Sequence, residues 1–364
     1  MTAHSGKQIA GIAALVAAGL ATGVAIEQRV VGNRYRYDPD QDEPFGQLHG
    51  DKVEVIASDG VELNVEVDDY ASQAFDDNLT IIFSHGYALN QNCWHYQRRD
   101  LRFLGRLVFW DQRSHGMSLR GDPELSTIDQ LGLDLGSVID AVGRDGPIVL
   151  VGHSMGGMTI MALAAQRPEL FEDGPVKGVA LLATSAGGMS AEGFGLPPAV
   201  GSFLHKAAPA VISRALRRKD LIEAGRAAGS DLGLLLIKHY SFGSDVSSSM
   251  TSFTSEMIRG TPFDVIAEFL PGIDAHEKSE ALATLSGVES LVMVGTKDRL
   301  TPIKHASEII RRMPHAKSVL LPETGHMLMM ERYPEVNSHL RQLVSRVRNN
   351  AERSEADTAE SASA

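Results

Sequence analysis

The sequence is poor in cysteine and in positive charge, and both shortages exclude classes of protein. Cys93 is the only cysteine among 364 residues, so the chain can form no internal disulfide and carries no CxxC metal or redox motif. Lysine and arginine number 34 against 46 aspartates and glutamates, which gives a net charge of −12. Because nucleic-acid binding depends on cationic side chains that neutralise phosphates, this balance predicts that the protein does not bind nucleic acid.

Three metal and cofactor signatures are also missing. The sequence has no HExxH pair, no phosphate-binding P-loop and no GxGxxG after a predicted strand. We therefore expect neither a metal ion nor an organic cofactor. Apolar residues make up 43% of the chain and charged residues 22%, which is ordinary for a globular protein and excludes a disordered or collagen-like chain.

One long uncharged run lies near the amino terminus, from Ile9 to Ile26. At 1.5 Å per residue this run spans about 27 Å, the lower limit for crossing a bilayer. A membrane anchor, a cleaved secretory signal and a soluble helix all stay open. The arginines that follow, Arg29, Arg34 and Arg36, favour an anchor over a signal peptide. We predict membrane association through residues 9–26, with secretion as the alternative and with the side of the membrane undecided.

From Lys52 onward, segments typical of strands and helices alternate. Apolar and polar residues alternate on both sides of a Ser-Asp-Gly turn, in Val53–Ala57 and Val61–Val67, and this pattern predicts a hairpin. Most of the buried strands that follow are separated by segments long enough for helices, such as Ile128–Val142 and Met155–Gln166. Those predicted strands are Leu79–Phe83, Leu107–Trp110, Ile148–Val151, Val179–Leu182, Leu291–Val294 and Ser318–Leu321. The pattern predicts an α/β fold with an eight-stranded, mostly parallel sheet and helices on both faces.

The alternation breaks between Leu182 and Leu291, where no strand pattern appears. Residues 197–270 consist of short helical segments punctuated by proline, which predicts a helical cap inserted above the sheet. After Asn349 the chain is polar and small, which favours disorder. The predicted divisions are a hydrophobic anchor or signal at 1–26, a linker at 27–50, a core at 51–188 and 276–349, a cap at 189–275, and a disordered tail at 350–364.

The strand at Ile148–Val151 runs directly into Gly-His-Ser-Met-Gly, residues 152–156, and then into a helix. G-x-S-x-G in this context places the serine on a sharp turn, and small neighbours let the strand and the helix approach each other. Ser154 is therefore the candidate nucleophile, although a simple glycine-rich turn is the alternative interpretation.

A serine at its ordinary pKa is a poor nucleophile and needs an adjacent base. Asp298 and His326 lie just past the predicted strands Leu291–Val294 and Ser318–Leu321. Ligands of open α/β sheets bind at the carboxyl ends of strands, so both residues are expected to meet Ser154 there. Asp298 could instead cap a helix, and His326 could be an ordinary loop histidine.

A site for a developing oxyanion is predicted from Ser-His-Gly-Tyr, residues 84–87, which follows the strand Leu79–Phe83. We expect His85 to brace this loop and Gly86 to let the backbone turn. The backbone N–H groups of Tyr87 and Met155 are the expected donors to the oxyanion. A simple loop turn is the alternative.

Together these motifs resemble those of the α/β-hydrolase superfamily, in particular its serine lipases and esterases. The resemblance runs from about Lys52 to Asn349 and rests on SHGY at 84–87, DQRSHG at 111–116, VGHSMGG at 151–157, VGTKD at 294–298 and ETGH at 323–326. It implies a Ser154–Asp298–His326 triad, oxyanion donors at Tyr87 and Met155, and a cap or lid at 189–275. The serine nucleophile argues against an epoxide hydrolase or a dehalogenase, which need a carboxylate.

The resemblance implies a serine hydrolase that cleaves small-molecule carboxylic esters through an acyl-enzyme intermediate. The apolar cap and the predicted anchor favour lipid-like or medium-to-long acyl esters. Two alternatives stay open. The same triad could perform other acyl-transfer chemistry, as in perhydrolases of the haloperoxidase type, thioesterases, amidases or C–C hydrolases, or the chain could be a non-catalytic binding module. The oligomeric state is not predicted.

Overall fold

The strands of the described residues form one eight-stranded sheet. A computed structural model describes residues 38–69, 79–143, 145–189 and 237–363. The strands are β1 (Asp51–Ile56), β2 (Glu62–Asp68), β3 (Thr80–Ser84), β4 (Arg106–Trp110), β5 (Ile148–His153), β6 (Val176–Leu182), β7 (Glu289–Gly295) and β8 (Lys317–Leu321). Their order is β1-β2-β4-β3-β5-β6-β7-β8. The β1–β2 hairpin is antiparallel, as is its pairing with β4, and every other pairing is parallel.

Helices cover both faces of this sheet, which confirms the predicted fold class. They are α1 (His95–Leu101), α2 (Ile128–Val142), α3 (Met155–Gln166), α4 (Glu169–Glu172), α5 (Ser248–Gly260), α6 (Phe263–Asp274), α7 (Leu282–Leu285), α8 (Ile303–Arg312), α9 (Leu328–Glu331) and α10 (Tyr333–Ser363). Alternate strand residues point to opposite faces, so Ile82 packs with α2, α3 and α8, whereas Phe83 packs with α1 and α10. This burial on both faces explains why the central strands are continuous apolar runs.

The described part of the predicted cap is helical. It contains α5 and α6, and Pro271 lies inside α6. Residues 190–236 of the predicted cap lie outside the described residues. An apolar cluster that includes Val265 and Phe269 of α6 joins this insertion to Met155 and Met158 of α3.

The segment before β1 was predicted as part of a linker, and from residue 38 onward it is packed against the body of the protein. Glu43 accepts hydrogen bonds from His95 at 2.8 Å and from Arg99 at 2.7 Å, both in α1. Asp38 accepts from the backbone N–H of Ser249 at 2.9 Å, at the start of α5. These residues therefore connect the core to the insertion.

The prediction of a disordered tail at 350–364 is wrong for the described residues, because α10 continues to Ser363. Its last part is rich in alanine and glutamate and contains neither glycine nor proline. Such residues favour a helix that is already nucleated by packing, even where the surface is polar throughout.

The apolar run at 9–26 lies outside the described residues, so its role as an anchor stays a prediction. In the ranges from residue 38 onward that the structure describes, we find no helix that combines the length and the apolarity needed to cross a bilayer.

Candidate active site

Ser154 forms a sharp turn between β5 and α3. Its backbone has φ 53° and ψ −118°, a conformation that costs energy for a residue with a side chain. The end of β6 holds this turn: Ser154 N donates to Leu182 O at 2.9 Å, and Thr184 Oγ1 donates to Ser154 O at 2.7 Å. The serine is thus fixed at the carboxyl edge of the sheet.

The glycines of this turn are required by close backbone approach. A Cβ on Gly152 would lie 2.5 Å from Gly156 O, and a Cβ on Gly156 would overlap the main-chain oxygen of Ser84. No larger residue fits without moving β3, β5 or α3 apart. The spacing that suggested the turn in the sequence therefore has a direct steric cause.

Asp298 and His326 meet past the ends of β7 and β8. His326 Nδ1 lies 2.9 Å from Asp298 Oδ2 and 3.1 Å from Oδ1. The carboxylate also accepts from Leu300 N and Thr301 N, both at 2.9 Å to Oδ1, and from Thr301 Oγ1 at 2.8 Å to Oδ2. Burial alone would raise the pKa of Asp298, but His326 and these hydrogen bonds outweigh it and lower the pKa below the usual value. An ionised Asp298 keeps the His326 proton on Nδ1.

His153, the neighbour of Ser154 in the chain, connects the serine turn to His326. Its Nε2 lies 3.0 Å from the backbone oxygen of His326, to which it donates, and the two rings are 4.7 Å apart. Burial lowers the pKa of His153 to about 3, so the ring is neutral. Among the residues that the structure describes, no direct hydrogen bond joins the Ser154 hydroxyl to His326.

The two predicted oxyanion donors lie on segments that share one polar network. His85 Nδ1 donates to Gly86 O at 2.7 Å, and His85 Nε2 accepts from Gln112 N at 2.9 Å. The Gln112 side chain donates to His85 O at 2.6 Å and accepts from Thr159 Oγ1 of α3 at 2.7 Å. Gln112 therefore ties the loop of Tyr87 to α3, whose first N–H belongs to Met155 and has no acceptor within the helix.

A buried ion network supports the loop that carries Gln112. Arg113 donates to both oxygens of Asp134, at 2.6 and 2.7 Å, and to both oxygens of Asp59, at 2.8 and 3.0 Å. The Arg113 and Asp134 side chains are fully buried. Such a two-sided, bidentate arrangement holds the loop after β4 rigidly against α2 and the β1–β2 turn.

Sequence reasoning missed the residues that position this site, namely Gln112, Thr159, Thr184 and Thr301. Three of them contact the motif residues His85, Ser154 and Asp298, but the motifs do not specify which side chains make these contacts. Within the described ranges, no group of three or more His, Cys, Asp or Glu side chains is arranged to hold a metal ion.

A sequence model of the alpha/beta hydrolase family matches residues 81–338. This range includes every residue described above for the candidate active site except Asp59. The chain belongs to that family. It is 28% identical over 248 residues to an sn-1-specific diacylglycerol lipase from Mus musculus, a match that covers 68% of this chain and 74% of the lipase. A second relative is the dihydrolipoyllysine-residue acetyltransferase component of an acetoin cleaving system from Pseudomonas putida. It is 24% identical over 272 residues, which are 71% of this chain but 62% of that protein's length.

The fold is also that of solved esterases. A thermophilic esterase from Thermogutta terrifontis superposes with a TM-score of 0.62 and 22% sequence identity, over 82% of this chain and 99% of the esterase. An esterase from a Rhodococcus species gives a TM-score of 0.64 at 20% identity, over 81% of this chain and 98% of that one. At this level of identity the likeness concerns the fold.

Proposed function

We propose that this member of the alpha/beta hydrolase family is a serine hydrolase that cleaves carboxylic esters through an acyl-enzyme intermediate. The observation that carries the proposal is the Asp298–His326 pair at 2.9 Å, at the same edge of the sheet as the turn of Ser154. An ionised carboxylate on Nδ1 leaves Nε2 of His326 as the nitrogen that can accept a proton.

In the proposed reaction His326 Nε2 takes the hydroxyl proton as Ser154 Oγ bonds to the ester carbonyl carbon. The carbonyl oxygen becomes negative and accepts hydrogen bonds from the backbone N–H groups of Tyr87 and Met155, each typically contributing about 3–4 kcal/mol to barrier lowering. His326 then gives its proton to the departing alcohol. Water, activated in the same way, attacks the acyl group on Ser154 and releases the acid.

An apolar acyl group suits the surroundings of the proposed oxyanion site. One buried cluster contains Met155, Met158, Val265 and Phe269, and the half-buried Tyr87 packs against it. These side chains are themselves buried, so they form an uncharged wall behind the proposed oxyanion site, which favours an apolar acyl group such as that of lipid-like or medium-to-long acyl esters. The name of the diacylglycerol lipase relative points to the same substrate class.

The test is turnover of p-nitrophenyl esters of increasing chain length, together with labelling by a fluorophosphonate probe. Ser154→Ala should lower kcat by about 10⁵–10⁶-fold and abolish labelling, by analogy with other triads. Ser137→Ala is a matched control, because among the described residues its hydroxyl donates to Leu133 O alone, within α2 and at 3.3 Å. Near-wild-type turnover by Ser154→Ala would refute the assignment of Ser154 as the nucleophile. A wild-type protein that the probe does not label would favour a non-catalytic binding role.

A further inference from the structure

The carboxylate of Glu331, at the end of α9, accepts hydrogen bonds from four donors in two separate segments. Gly325 N, next to His326, donates to Oε2 at 2.7 Å. From the insertion side, Ser244 N and Ser244 Oγ both donate to Oε1 at 2.6 Å, and Gly243 N lies 3.1 Å from each oxygen. Hydrogen bonds to an ionised acceptor are stronger than neutral ones, so this single side chain is a firm tie between the two segments.

The same two segments are packed backbone to backbone. A Cβ on Gly325 would lie 2.5 Å from Gly243 N, and a Cβ on Gly243 would lie 2.6 Å from Gly325 N, so only glycine fits on either side. Met327 N donates to Ser241 O at 2.8 Å. Both neighbours of His326 in the chain therefore contact residues 241–244: Gly325 packs against Gly243, and Met327 is hydrogen-bonded to Ser241. This segment leads directly into α5 of the insertion.

We propose that Glu331 is a positioning residue for His326, which it holds in line with Asp298 by tying the loop of the histidine to residues 241–244. The inference rests on the proposed function, in which His326 is the base. Asp298 holds the ring, and His153 holds the backbone oxygen, at 3.0 Å. The Gly325 side of the loop is held by Glu331, and no atom of Glu331 takes part in the reaction.

Loss of this tie should affect turnover per active site. Triad chemistry depends on reacting atoms about 3 Å apart, and a displacement of about 1 Å can cost about 100-fold in rate. We therefore expect Glu331→Ala to lower kcat by about 10–100-fold while KM changes by less than about threefold, since none of the hydrogen bonds of Glu331 reaches the apolar cluster beside the proposed oxyanion site. A merely structural role would lower the folded fraction and leave kcat per folded site unchanged.

The experiment compares the full chain with Glu331→Ala, Glu331→Gln and the control Glu335→Ala, which alters an exposed carboxylate in the first turn of α10. Rates with a p-nitrophenyl ester are divided by the number of sites that a fluorophosphonate labels at completion. Glu331→Gln should give an intermediate kcat, because its one amide oxygen can accept only some of the four donors. In parallel, the downfield proton resonance of His326 Nδ1–H should shift or broaden in Glu331→Ala and stay unchanged in Glu335→Ala.

A kcat per labelled site within about twofold of the control, with an unchanged resonance, would overturn the inference. If Glu331→Ala does not fold, the same two measurements on Glu331→Gln decide it by the same criterion. If the wild-type protein neither labels nor turns over esters, the proposed function fails, and the resonance still decides whether Glu331 positions His326.

Discussion

Asp298→Asn is the substitution that tests the proposed triad most directly, because the structure dictates how the new amide would lie. Oδ1 of Asp298 accepts two backbone N–H groups, from Leu300 and Thr301, both at 2.9 Å. An amide oxygen must occupy that position, since an NH₂ group there would face two donors. The NH₂ group then takes the place of Oδ2 and points at His326 Nδ1. In the wild-type protein, Oδ2 lies 2.9 Å from this nitrogen.

A donor at this position forces His326 into the wrong tautomer. Nδ1 must accept from the amide, so the ring proton moves to Nε2, which can no longer take the proton of Ser154. In other triads the same change leaves the geometry intact and lowers kcat by about 10⁴-fold, which is about 5.4 kcal/mol of barrier. We expect a loss of this size in kcat, with folding largely preserved because the amide oxygen keeps the two backbone hydrogen bonds from Leu300 and Thr301, and only the Thr301 hydroxyl loses its acceptor.

The assay is steady-state hydrolysis of a p-nitrophenyl ester, with thermal unfolding measured in parallel. Thr301→Ser is a useful control, since it keeps the hydroxyl that donates to Oδ2 at 2.8 Å and removes a methyl group. A kcat for Asp298→Asn within about tenfold of wild type would show that Asp298 does not set the tautomer of a catalytic base, and the proposed mechanism would have to be abandoned.

Two further predictions concern stability. Arg113→Met should lower the free energy of unfolding by about 3–5 kcal/mol, because it leaves the buried carboxylate of Asp134 without its ion-pair partner. Arg311→Met removes only an exposed pair with Glu308 and should lower the free energy of unfolding far less. Equal losses for the two variants in urea unfolding would contradict this. Burial lowers the pKa of His153 to about 3 from its ordinary 6.5, so between these pH values only the unfolded chain binds the proton. Stability should therefore fall as the pH drops through this window, by up to about 1.4 kcal/mol per pH unit for this group, and His153→Gln should make the slope shallower. The free energy of unfolding is measured with urea at several pH values for both proteins. If it changes with pH equally in the wild type and in His153→Gln, His153 is not neutral in the folded protein.

Features of the fold that depend on local periodicity could be predicted from the sequence. The helices α2 and α3 begin and end at the predicted residues, and every predicted strand is present with its ends moved by a few residues at most. The segment around Glu43 is different. Its composition is that of a linker, and its packing depends on contacts with His95 and Arg99, which lie more than fifty residues further along the chain. Composition and periodicity describe neighbours in sequence and carry no information about such contacts.

The same distinction separates the residues proposed to react from those that position them. Nucleophile, base and acid must be particular side chains at particular strand ends, so Ser154, His326 and Asp298 leave a signature in the sequence. The donors to Glu331 are three backbone N–H groups and one serine hydroxyl, which almost any sequence could supply. Apart from the two glycines, no residue type is therefore diagnostic of these contacts, and only the folded backbone shows that Gly243 packs against Gly325. If the proposal for Glu331 is correct, the position of the base is controlled from the insertion, at residues 241–244, which belong to none of the motifs of the sequence.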